Sequence, residues 1–192
     1  MIRKIYAIKF IVPSFLNRVS FWIRKIKVGD NFRTYGRVFV RGKGSVSIGK
    51  NVTINSCREA NPIGGDMRTI IFAKDDSMIK IGDGVGISNS AIVAMREIVI
   101  EDNVFIGGSC KIYDHDFHSI FYEERISEID SGVKFAPVCI KKGAFIGAHT
   151  IILKGVIIGE KSVIGAGSVV TKSVPDNEVW AGNPARFVKR IK

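Results

Sequence analysis

Residues 140–175 read IKKGAF IGAHTI ILKGVI IGEKSV IGAGSV VTKSVP, six hexads without a slip. Each opens on a large aliphatic residue, Ile140, Ile146, Ile152, Ile158, Ile164 or Val170. The position four beyond holds Ala144, Thr150, Val156, Ser162, Ser168 or Val174. A period of six is even, so it stays in step with the two-residue alternation of a strand and returns one aliphatic side chain inward per repeat. A helix of 3.6 residues per turn would scatter these positions around its axis. Gly147, Gly159 and Gly165 directly follow the inward aliphatic, where a sharp change of strand direction tolerates almost no side chain. The pattern predicts an all-β, parallel solenoid.

Hexads of the form aliphatic, small, two free residues, small, free resemble those of the hexapeptide-repeat acyltransferases, and the resemblance covers about residues 45–190. It implies a left-handed parallel β-helix in which three hexads make one triangular coil, so that residues 140–175 form two coils. The handedness comes from the resemblance alone, because parallel crossovers are as a rule right-handed.

With 192 residues, 46% of them hydrophobic, and 20 glycines, the chain is sized for one domain with a real core. Lys and Arg number 29 against 18 Asp and Glu, a net charge of +11 that favours a polyanionic partner: a nucleotide cofactor, nucleic acid or an anionic membrane. Nucleic acid is disfavoured, since the basic residues are not interleaved with aromatics along the repeat. Cys57, Cys110 and Cys139 form no close pair and read as reduced core thiols, which favours the cytoplasm, with the inner membrane face as a further location.

Residues 1–28 are expected to be an amphipathic helical segment, 29–182 the β-helix with insertions at about 55–78 and 113–137, and 183–192 a basic tail. Residues 1–27 carry seven basic and no acidic side chains. Ile5, Ile8, Val12, Phe15, Val19, Trp22 and Ile26 recur at helical spacing, and Pro13 should divide the segment into two helices. No run of 18 apolar residues spans a bilayer and no small-residue cleavage site follows. Two readings stand: a cap over the open solenoid end, favoured because solenoid ends need covering, or a peripheral contact with anionic lipid.

Hexads begin near Ser45 with Ile48 and Ile54, and lose phase over 55–78, where Asn61, Pro62, Gly64 and Gly65 suggest a looped-out insertion. They resume with Ile81, Ile87 and Val93, then, after a one-residue skip, Ile100, Ile106 and Ile112. The repeat stops at Tyr113 and returns near Val138. A loop this long inside a compact repeat is usually functional. Its first residues, Tyr113-Asp114-His115-Asp116-Phe117-His118-Ser119, hold two of the three histidines, and six acids lie between 114 and 130, namely Asp114, Asp116, Glu123, Glu124, Glu128 and Asp130.

Imidazole is the side chain suited to take a proton from a hydroxyl as it attacks a thioester, and a carboxylate on its other ring nitrogen fixes the tautomer. In sugar-type members of the family such a loop carries the catalytic His. The Asp-x-Asp-Phe-His string implies His118 as the base and His115 as second choice, with Asp114 or Asp116 orienting either ring. Tyr113, Asp114 and Asn89 are assigned to the acceptor side. The alternative is that both histidines are exposed loop residues. The third, His149, reads as a corner residue. A zinc site like that of the gamma-class carbonic anhydrases would need all three, and no metal is expected.

The C-terminal strings from Gly165 to Pro175 and from Trp180 to Arg186 resemble the family's coenzyme A end. This implies that Ala148, Ala166 and Gly167 border the pantetheine arm and that Thr171, Lys172, Arg186 and Lys189 meet the phosphates, with Arg190 nearby. Singly, these cations could equally be a solvated face. Ala148 stands where some relatives have a Ser, which leaves oxyanion stabilisation to a backbone N–H. The resemblance therefore implies a homotrimeric, acetyl-CoA-dependent O-acetyltransferase acting on a sugar or glycan hydroxyl, in polysaccharide biosynthesis or modification. Alternatives are an acetyltransferase for serine or an antibiotic, and a non-catalytic scaffold or membrane-associated binding module.

Overall fold

The computed structural model describes residues 9–61, 67–127 and 131–192. Within it Ile140 pairs with Ile158, Ile146 with Ile164, and Ile152 with Val170, in parallel register one coil apart. Three hexads thus make one turn of a triangular prism, and the fold is the expected left-handed parallel β-helix.

Face A stacks Lys27–Val28, Ser45–Ile48, Met78–Ile81, Glu97–Ile100, Val138–Ile140 and Ile157–Ile158. Face B stacks Arg33–Gly36, Thr53–Ser56, Gly86–Ser88, Phe105–Ile106, Phe145–Ile146, Val163–Ile164 and Glu178–Gly182, closed by Ala185–Arg190. Face C stacks Phe39–Arg41, Ile70–Ala73, Ala91–Ala94, Lys111–Tyr113, Ile151–Ile152 and Val169–Val170. Every pairing is parallel except the last, where Ala185–Arg190 runs antiparallel to Glu178–Gly182. Residues 185–190, expected as a tail, are therefore a strand.

Isoleucine columns line the interior of each face: Ile48, Ile81, Ile100, Ile140 and Ile158 on A; Ile54, Ile87, Ile106, Ile146 and Ile164 on B; Ile71, Ile92, Ile112 and Ile152 on C. Each such side chain removed from water contributes about 1.5–3 kcal/mol. The small positions Ala144, Thr150, Val156, Ser162, Ser168 and Val174 are buried as expected. Gly147 is required because a Cβ there would lie 2.5 Å from the Ala166 backbone nitrogen, so coil stacking rather than a left-handed backbone excludes a side chain.

Several expectations are corrected. The inward residue on face C is Ile92, not Val93, because the B–C corner at Ser88–Ser90 is one residue shorter than in the later coils and turns through Asn89 at φ 42°. A strand at Ile70–Ala73 reduces the first insertion to residues 57–69, and one further coil, from Lys27 to Arg41, precedes Ser45. Among the three free thiols only Cys110 is in the core, where burial pushes it up in pKa. Pro62, Gly64, Gly65, Glu128 and Asp130 lie outside the described residues.

Helix α1 (Ile11–Ile23) lies across the open end of the prism. Pro13 falls in its first turn, where its missing N–H has no helical partner to lose, rather than dividing a longer helix. The part of the stripe in residues 1–8 lies outside the described residues. The helix touches the first coil through Ser14, Asn17 and Phe21. Asn17 Nδ2 donates to Thr34 Oγ1 (3.0 Å) and Gly36 O (2.9 Å), Asn17 Oδ1 accepts from Val38 N (3.1 Å), and the ring of Phe21 lies 5.6 Å from that of Phe32. Of the expected apolar stripe, Val12, Phe15, Val19 and Trp22 face outward instead.

Candidate functional site

At the corner between faces C and A the chain leaves the prism for residues 114–137, and the first of these, Asp114, is fully buried. Its carboxylate accepts from the backbone N–H groups of Met95 (2.8 Å), Arg96 (2.7 Å) and Glu97 (2.7 Å), the same corner one coil below. Its Oδ1 also lies 3.0 Å from His115 Nδ1. Burial pushes the Asp114 carboxyl up, but the His115 contact and the three amides outweigh it and hold it below the ordinary carboxylate value.

An ionised Asp114 makes Nδ1 of His115 the N–H donor and leaves the lone pair on Nε2. His115 is 4% exposed, and its Nε2 is buried with no partner among the described residues. An unsatisfied buried polar atom costs roughly 1–3 kcal/mol, so an orphan acceptor beside a fixed tautomer marks a place for an incoming proton. The imidazole is wedged between aromatic rings, 4.5 Å from Phe117 and 6.4 Å from Tyr113. Burial raises the pKa of the Tyr113 hydroxyl, keeping it a neutral donor.

The root of the loop is pinched shut. His115 forms an antiparallel bridge with Phe135, Asp116 N donates to Lys134 O, and Ala136 N donates to Asp114 O. Asp116 pairs with Lys154 on the next coil rather than with a ring. Farther out, helix α2 (Tyr122–Ile126) is tied back by Arg125 Nη1 donating to Ser119 O and by Ser119 Oγ donating to Glu124. Of the two candidate bases, His118 is exposed, whereas His115 is buried and its Nδ1 is held by the Asp114 carboxylate.

The remaining expected residues occupy other parts of the prism. Ala148, Ala166 and Gly167 line the B–C corner; Gly167 stands at φ 71° with open space where a Cβ would project. His149 is exposed at that corner, away from the loop histidines. Thr171 and Lys172 are exposed at the C–A corner, with Lys172 one coil above Lys154. Arg186 and Lys189 are exposed on the closing strand. Within one chain the B–C and C–A groups sit at opposite edges of face C. Asn89 is fully buried; its Nδ2 donates to Met67 O (2.8 Å), while its Oδ1 is buried without a partner among the described residues.

Sequence reading missed a groove of about 320 Å³ on face B, lined by Asn55, Asn61, Ser88, Phe105 and Phe145. The signal for it is the pair Phe105 and Phe145, outward aromatics in register on adjacent coils. Among the described residues no group of three His, Cys, Asp or Glu side chains could hold a metal ion.

Comparison with known proteins supplies a context. The family described as hexapeptide repeat of succinyl-transferase matches residues 97–112 and 137–172. The chain is 30% identical to WbbJ of Escherichia coli K12, designated a lipopolysaccharide biosynthesis O-acetyl transferase, over 79% of this chain and 75% of that one. It is 38% identical to the galactoside O-acetyltransferase of the same organism over 54% of this chain and 49% of that one. The chain spans about half the length of several curated relatives it matches. Among solved structures, a mutant of AntD, an N-acyltransferase from Bacillus cereus in complex with dTDP and coenzyme A, superposes with a TM-score of 0.72 at 27% identity, covering 93% of this chain and 89% of that one.

Proposed function

The chain belongs to the hexapeptide-repeat acyltransferase family, and from that premise we propose that it transfers an acetyl group from acetyl-CoA to a sugar hydroxyl, with His115 as general base. The observation that carries the reading is the buried Asp114–His115 pair with its orphan Nε2. Nε2 accepts the proton of the acceptor hydroxyl as that oxygen attacks the thioester carbonyl carbon. The tetrahedral intermediate collapses with loss of the C–S bond, and the imidazolium returns its proton to the departing thiolate. Asp114 holds the ring and stabilises the imidazolium without itself taking the proton. Proximity and base catalysis together supply most of the rate.

Acetyl-CoA as co-substrate is supported by the coenzyme A in the AntD complex and by the open B–C corner at Gly167 together with the exposed cations Lys172, Arg186 and Lys189. A sugar acceptor is supported by the names of the galactoside and lipopolysaccharide relatives. Because the B–C and C–A groups lie on opposite edges of face C, a complete site requires a neighbouring copy. A trimer, with each site in a cleft between two prisms, supplies one, and light scattering tests it.

The deciding experiment follows thiol release from acetyl-CoA with a panel of sugars and glycans. His115→Ala should abolish acceptor-dependent release and His118→Ala should reduce it mildly. The reverse result moves the base to His118. Failure of the wild-type protein to bind coenzyme A overturns the reading in favour of a scaffold.

A further inference from the structure

The outward half of helix α1 is apolar. Val12, Phe15, Trp22 and Ile23 are 63%, 63%, 81% and 66% exposed, on the side opposite Ser14, Asn17 and Phe21. An ordinary surface helix is oriented the other way. Asn17 and Ser14 bond to Thr34, whose column continues as Ile54 and Ile87. The helix is therefore seated on the end of the core, and its apolar side points away from the coil stack.

The charge of the protein is concentrated at the same end. Residues 1–44 hold eleven Lys and Arg and one acid, Asp30, whereas residues 45–192 hold eighteen Lys and Arg and seventeen acids. The described residues 9–44, which make the capping helix and the first coil, hold nine of those eleven cations against Asp30, and so eight of the eleven net positive charges. Lys9 and Lys43 have carboxylate partners, Glu59 and Asp75. Arg18, Lys25, Lys27, Arg33 and Arg41 are exposed and form no ion pair among the described residues. A groove of about 450 Å³ beside the helix has Phe10, Phe15 and Phe32 in its wall and Arg18 and Arg33 at its margin.

We propose that this end of the prism docks on the surface of a bilayer containing anionic lipid. Exposed apolar side chains rimmed by unpaired cations match the boundary between acyl chains and acidic headgroups. The 13-residue helix is about 20 Å long, shorter than the roughly 30 Å hydrocarbon core, so it lies in the interface plane and does not cross. The charge separation chooses this occupant over a second copy of the same face, which would bring two cationic ends together. The docking surface stands apart from the acetyl-transfer reading, since vesicle binding and thiol release are separate measurements.

The test is sedimentation of the full chain with vesicles of phosphatidylcholine alone or with phosphatidylglycerol, alongside Trp22 fluorescence and light scattering. The protein should bind the anionic vesicles with a blue shift in emission that Trp22→Phe removes. Binding should fall about tenfold or more in high salt, on neutral vesicles, and in the Phe15→Ser/Trp22→Ser double variant with unchanged circular dichroism. No binding to anionic vesicles, or equal binding to neutral ones, overturns the proposal. So does a double variant that lowers the oligomeric mass while vesicle binding persists, because the face is then an interface between copies.

Discussion

Asp114 Oδ1 stands 3.0 Å from His115 Nδ1, and the same carboxylate is bound by three backbone amides of the coil below, so the side chain that fixes the imidazole is itself fixed by the solenoid. The loop thus departs from the prism at a corner tied down by three backbone amides.

Replacing the carboxylate with an amide separates orientation from proximity. Asp114→Asn should lower kcat by about 10³–10⁴ by releasing the tautomer, with KM for acetyl-CoA little changed. The corner capped by Asp114 should weaken by about 2–4 kcal/mol, so the assay is run well below the melting temperature of the variant.

The same carboxyl predicts an acid limb in stability. Its folded pKa is below the ordinary value of 3.8, so its contribution is fully present above that value and is lost as pH falls through the folded pKa. Acid unfolding followed by circular dichroism should show steeper loss below about pH 4 in the wild type than in Asp114→Asn.

Two glycines should fail in different ways. Gly147→Ala drives a Cβ to 2.5 Å from the Ala166 nitrogen and should cost about 1–3 kcal/mol, lowering Tm by several degrees. Gly167→Ala meets no atom within 4 Å but must keep φ 71°, a strain of about 1–2 kcal/mol. Its larger effect should be a raised KM for acetyl-CoA, as expected where a ligand passes against the backbone.

Removing an exposed cation should touch cofactor affinity alone. Lys172→Ala should raise KM for acetyl-CoA about fivefold to tenfold, leave kcat nearly unchanged, and lose most of its effect in high salt. An equal fall in kcat would instead make Lys172 part of the chemistry.

The regular coils were legible because Ile140 to Val174 state both the period and the inward face without exception. Legibility failed where a corner changed length, at Asn89, and where the coil carried other residue types, as with Phe32, Thr34, Val38 and Val40. The loop and its histidines were visible as an interruption. That Asp114 is locked in place to hold His115 could not be read, because the amides of Met95, Arg96 and Glu97 that fix it come from another coil and carry no side-chain signature. The apolar stripe of α1 was recognised, but its direction was not. A capping helix buries whichever side satisfies the exposed end of the backbone, and Asn17 does that better than Phe15.

A stack of parallel strands is a template without a natural stop, since each new coil offers the next one a fresh row of amides and carbonyls. Here the ladder of face B ends by reversal: Ala185–Arg190 turns back against Glu178–Gly182 and presents Arg186, Lys189 and Arg190 at the outer edge. A second molecule approaching that edge of face B meets a strand of the wrong polarity and like charge. Face B thereby keeps a cross-β-like interior without offering the next strand a parallel template.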